Sequence, residues 1–153
     1  MFAPLYQEQL GAGAGMQDDA QAGVQVLGIV ESDAPLQLFA CLVAALEPYD
    51  LPWRMAPDSL IEMAAAHSNA TPESRAKSHR RLATELINAL DAGEAPHGVI
   101  VVDDLHRIAH PTVHEFIDVL MERFTPRWCM AIATRHEPPL ALARLRARGE
   151  LAE

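Results

Sequence analysis

The run Gly98-Val99-Ile100-Val101-Val102-Asp103-Asp104 constrains the fold more than any other stretch of this chain. β-Branched apolar residues favour an extended backbone. A run of them without polar alternation predicts a strand buried on both faces of a parallel sheet. Two adjacent carboxylates end that run. They sit where open α/β sheets bind ligands, beyond the carboxyl ends of the strands.

The flanking segments alternate in type. Val24 to Val30 reads as a short buried strand. Pro35 suits a first helical turn, and Leu36, Phe39, Val43 and Leu46 follow at helical spacing. Residues 50–70 read as a connector with a short helix near Leu60-Ile61. Thr71-Pro72-Glu73 opens a longer helix with Leu82, Leu86 and Leu90 on one stripe, ended by Gly93 and Pro96. After the Asp-Asp strand, Pro111 starts a helix whose apolar face is Val113, Phe116, Ile117, Leu120, Met121 and Phe124. Arg127 to Thr134 predicts a third buried strand, ending at Arg135. Pro138-Pro139 leads into a last helix carrying Leu140, Leu142 and Leu145 and closed by Gly149. Strands alternating with helices predict an α/β parallel sheet with right-handed crossovers.

At 153 residues, half of them apolar and 22% charged, the chain is long enough for one domain with its own core. No apolar run approaches a membrane-spanning length, and the first basic residue is Arg54. Together these features predict a cytoplasmic protein with no membrane partner. A formal charge of −9 argues against direct DNA contact by this chain. Cys41 and Cys129 lie in apolar surroundings and read as buried, reduced thiols. Residues 1–23, with Gly11-Ala12-Gly13-Ala14-Gly15, read as a flexible lead-in.

Three groups of residues could carry chemistry. Asp103 could hold magnesium, and Asp104 could polarise a water beside it. Arg135 ends the neighbouring predicted strand, where its planar fork could meet a terminal phosphate. His106, His110 and His114 follow the acids at four-residue spacing, but Pro111 argues against one continuous helix through all three. Their ordinary reading is a loop histidine, a capping position and an exposed helical histidine. Arg144, Arg146 and Arg148 read as a solvated helix end, and Trp53 and Trp128 as packing residues. A phosphate-binding loop is missing: the only lysine, Lys77, has no glycine near it, and Gly11 to Gly15 has no following lysine.

Two of these stretches resemble a known family. His97 to Ile108 resembles the Walker B region of the large ATP-dependent LuxR-type transcriptional regulators, maltose-activator-like members of the STAND class of P-loop NTPases. Ala131 to Leu151 resembles that family's sensor strand and following helix, and Leu36 to Leu46 resembles, less specifically, the helix after its second core strand. The likeness covers roughly residues 25–153. It implies a partial three-layer P-loop NTPase fold over residues 24–153, with a parallel sheet of about three strands flanked by helices. It also implies ATP and magnesium as ligands. Asp103 would be the magnesium-associated acid, Asp104 its catalytic neighbour, and Arg135 the phosphate-sensing arginine.

The chain departs from that family in lacking the first strand, the phosphate loop and the DNA-binding helix-turn-helix. It therefore reads as a truncated regulator with impaired nucleotide binding, and catalysis by this chain alone is not expected. The sheet would keep an unpaired apolar edge along Trp128 to Thr134, which predicts marginal stability, self-association or capture of another protein. Two other functions compete. One is a non-enzymatic interaction protein using that edge; the other is a metal-dependent hydrolase built on Asp103, Asp104 and the three histidines.

Overall fold

The computed structural model describes residues 21–24, 34–67, 71–94 and 97–153. The architecture is mixed α/β. Along the chain come β1 (Gln21–Val24), α1 (Ala34–Leu46), α2 (Pro57–Ala65), α3 (Pro72–Ala92), β2 (Gly98–Val102), α4 (Pro111–Arg123), β3 (Trp128–Ile132) and α5 (Leu142–Arg148). Short 3₁₀ turns follow α1 at Glu47–Tyr49 and β2 at Leu105–Arg107.

β2 and β3 pair in parallel, with Gly98 opposite Trp128 and Val102 opposite Ile132. The backbone of β1 runs parallel along the other edge of β2, from Gln21 opposite Val99 to Val24 opposite Val102. The strand expected over 24–30 thus shares only Val24 with β1; residues 25–30 lie outside the described ones, as do residues 1–20 of the expected lead-in and Pro96.

The caps explain why the helices start where they do. Thr71 accepts a hydrogen bond from the Ser74 N–H at 3.3 Å, and Pro72 fills the first turn of α3. At the far end, Gly149 takes φ 70°, and the N–H of Glu150 reaches back to the Leu145 carbonyl at 3.0 Å. That left-handed close favours glycine and ends α5. α4 opens with Pro111, whose missing N–H would have no helical partner in the first turn anyway.

One apolar core joins the helices to the sheet. α1 contributes Leu38, Phe39, Leu42 and Leu46; α3 contributes Leu82, Leu86 and Leu90; α4 contributes Val113, Phe116, Ile117 and Leu120. Ile100 and Val102 enter it from β2. The stripe expected on α1 is corrected at one position, because Leu42 is buried while Val43 is only half-buried. α3 is core-facing only in its second half, where burial starts at Leu82.

The strands are less enclosed than their apolar sequences predict. In β2, Gly98, Ile100 and Val102 are buried, but Val99 and Val101 are half-buried. In β3 only Trp128 is buried, and Cys129 is exposed. The expectation of burial on both faces is therefore corrected, and so is the expectation that Cys129 is buried. The physical reason is that the described helices of the core cover one face of β2. The outer edge of β3 has no strand partner among the described residues. Beside it runs an apolar groove of about 530 Å³, lined by Met121, Phe124, Met130, Ile132, Leu142 and Leu145 among others. Cys41 is half-buried, and both thiols are free.

Aromatic contacts close the ends of the core. Trp53 meets Phe39 edge-on at 6.1 Å, and Trp128 meets Tyr49 edge-on at 6.0 Å. Both tryptophans are packing residues, as their sequence context implies.

Candidate functional site

The parallel register brings the carboxyl ends of β2 and β3 to one rim. Val102 lies opposite Ile132, and the pairing continues past both strands. The Ala133 N–H donates to the Val102 carbonyl at 2.9 Å, and the Leu105 N–H donates to the Ala133 carbonyl at 3.1 Å. The loop carrying Asp103 and Asp104 is thereby tied to the loop carrying Thr134 and Arg135.

The turn after β2 is built by its own acids. Asp103 Oδ1 accepts from the Asp104 N–H at 2.8 Å. Asp104 holds φ 55°, a left-handed conformation that aspartate tolerates better than most residues. Its carbonyl accepts from the Arg107 N–H at 2.9 Å, closing the 3₁₀ turn, and Leu105 is driven fully into the core. Leu105 anchors the turn, so the acids are held on the rim by packing as well as by hydrogen bonds.

Asp104 is surrounded by positive or titratable groups from its own turn. Its Oδ1 lies 3.7 Å from His106 Nδ1, and its Oδ2 lies 3.9 Å from Arg107 Nη1. His106 Nδ1 is buried and has no hydrogen-bond partner at normal distance. Its ring meets that of His136 edge-on at 6.4 Å, so the two loops also touch through side chains. In the second loop, Thr134 Oγ1 donates to the His136 carbonyl at 2.8 Å, and Arg135 is exposed.

The candidate residues thus share a rim, but Asp104 pairs with Arg107 rather than with Arg135 among the described residues. Arg107 and His136 are the members that the sequence reading did not assign to the site, and His106 entered it only under the metal-hydrolase alternative. The i, i+3 spacing of Asp104 and Arg107 was a signal for one of them. The approach of His106 to His136 depends on the strand pairing and has no local signal.

The three histidines do not converge. His106 faces Asp104, His110 occupies the N-cap position of α4 with its Nδ1 2.7 Å from the Thr112 side-chain Oγ1 and no bond to the helix backbone N–H groups, and His114 is buried inside α4 at 6% exposure. His114 was expected to be exposed; that is corrected, because α4 packs against both α1 and α3 and buries a wider arc than its apolar stripe. Desolvation pushes His114 below the usual imidazole range, opposed by the His110 backbone and the Asp118 charge. Among the described residues, no group of three or more His, Cys, Asp or Glu is arranged to hold a metal ion. Cys129 is exposed as a residue, but partial desolvation beside the groove pushes its thiol above the usual range, away from the thiolate form.

No family model matches this chain, and no curated protein sequence matches it significantly. No described helix is long and apolar enough to cross a membrane.

Proposed function

We propose that the rim is the magnesium-and-phosphate side of a nucleotide site, and that the chain belongs to the ATP-binding module of a LuxR-type regulator of the STAND class, with impaired nucleotide binding by these residues alone. The observation that carries this reading is the Leu105 N–H to Ala133 carbonyl contact, which joins the Asp103-Asp104 turn to the Thr134-Arg135 loop. Paired acids and an arginine at adjacent strand ends are the groups that phosphoryl-transfer sites use.

The residues fit magnesium in one respect that can be checked. Asp103 uses Oδ1 for the Asp104 N–H, and its Oδ2 has no partner among the described residues. Magnesium binds through one or two carboxylates, with waters and phosphate oxygens filling the other positions, so a closed protein cage is not required. Bound there, the ion would neutralise phosphate charge. Asp103 would hold it through water. Asp104, steadied by His106 and Arg107, would orient a water. Arg135 is exposed and free to extend its fork to a terminal phosphate.

Backbone amides of a glycine-rich loop and its lysine supply much of the phosphate affinity in P-loop sites, and this sequence has no such loop. Binding should therefore be weak. Magnesium-ATP titrated into the purified chain and followed by amide NMR is expected to shift residues 103–107 and 133–136 without saturating in the micromolar range. Loss of those shifts in Asp103→Asn is also expected. Micromolar binding would contradict the impaired half of the proposal, and shifts confined to other surfaces would contradict the site itself.

A further inference from the structure

A second cavity lies away from the rim, between α2 and the first half of α3, with a volume of about 270 Å³. One wall is a single stripe of α3: Ser74, Lys77, Ser78 and Arg81 at i, i+3, i+4 and i+7. The floor is apolar, from Leu60, Met63, Ala64 and Leu82. His67, with Nδ1 2.7 Å from the Met63 carbonyl, stands at the mouth.

This wall is basic in a chain that is acidic as a whole. The net charge is −9, with 21 acids against 12 Lys and Arg. Arg107, Arg127, Arg144, Arg146 and Arg148 sit beside acids, whereas Arg54, Arg75, Arg80, Arg123 and Arg135 have no ion-pair partner among the described residues. Lys77 and Arg81 have no ion-pair partner among the described residues, although acidic side chains outnumber basic ones. Over Pro72 to Arg81 the sequence also places Arg75 and Arg80 against the single acid Glu73. The α3 wall of the cavity is therefore basic, with Asp58 and Glu62 of α2 outside the lining, and the cavity also offers two hydroxyls and an apolar floor.

We propose that this cavity binds a phosphate monoester carrying a compact apolar group. Lys77 supplies a point charge and Arg81 a planar fork. The hydroxyls of Ser74 and Ser78 can donate to further phosphate oxygens. A phosphate monoester brings three terminal oxygens and up to two negative charges, so it matches two cations and two hydroxyls better than the two oxygens and single charge of a carboxylate. The leucine, methionine and alanine side chains of the floor would take the apolar substituent, and the volume suits a ring-sized group.

Phenyl phosphate is the probe, titrated into the full chain and followed by amide NMR. Saturable shifts within residues 60–67 and 74–82 are expected, with tighter binding than inorganic phosphate or benzyl alcohol. Lys77→Gln and Arg81→Gln should each weaken phenyl phosphate about tenfold or more. Both side chains belong to exposed residues, so the variants should keep the wild-type spectrum elsewhere. Asp103→Asn should bind the probe normally, which separates this cavity from the rim. Wild-type affinity in both glutamine variants would overturn the proposal. So would inorganic phosphate binding as tightly as phenyl phosphate, or shifts confined to other surfaces.

Discussion

Gly98 shows how one position governs the join between strand and core. A Cβ built there would lie 2.2 Å from Cζ3 and 2.3 Å from Cε3 of Trp128, its cross-strand neighbour. The indole is buried and also meets Tyr49 edge-on, which limits its room to shift. Gly98→Ala should therefore lose about 1–3 kcal/mol of stability through overpacking. Chemical denaturation would register it as a lower midpoint, and an unchanged midpoint would contradict the packing described. At this scale the sequence was a partial guide. The packing role of Trp128 was readable from its apolar surroundings, but the glycine beneath it was visible only as the first residue of a strand. Cys129 was misread for a related reason: its apolar neighbours in sequence line an open groove and do not enclose it.

Among the elements, α4 departs most instructively from its sequence pattern. Its apolar stripe of Val113, Phe116, Ile117 and Leu120 was legible and is buried. His114 lies just beyond that stripe and is buried as well, since helices pack on both sides. Desolvation lowers its folded-state pKa below the unfolded value of about 6.5. Its neutral form is thus the one the fold accepts. The stability it contributes is fully present above about pH 6.5 and is lost as pH falls through the lower folded value. Denaturation midpoints should fall between about pH 7 and pH 5, and His114→Leu should flatten part of that slope. An identical slope in the variant would show that other groups carry the acid sensitivity. α3 was also half legible. Its capping Thr71-Pro72 and leucine stripe marked the helix, but the cavity against α2 arises from tertiary packing, which the spacing of Ser74, Lys77, Ser78 and Arg81 could only hint at.

Across the whole molecule, the alternation of apolar strand and amphipathic helix was sufficient to read a mixed α/β class. It did not reveal how much of each sheet face would be covered, because burial depends on which helices reach which side. The open edge of β3 was expected only from the family resemblance; among the described residues that edge has no strand partner, and an apolar groove runs beside it. The candidate rim was legible in outline, since acids and arginine sit at the ends of two apolar runs. Within its finer membership, Arg107 and His106 stand beside Asp104 by the local turn, whereas His136 against His106 required the strand register. The central claim is that two loops distant in sequence share one metal-and-phosphate rim. Manganese(II) used as a paramagnetic substitute for magnesium tests it most directly, through the broadening of backbone amide signals. Residues 103–107 and 133–136 should broaden together, recover on addition of excess magnesium, and stay sharp in Asp103→Asn. Broadening of one loop without the other, or broadening that survives Asp103→Asn, would contradict it.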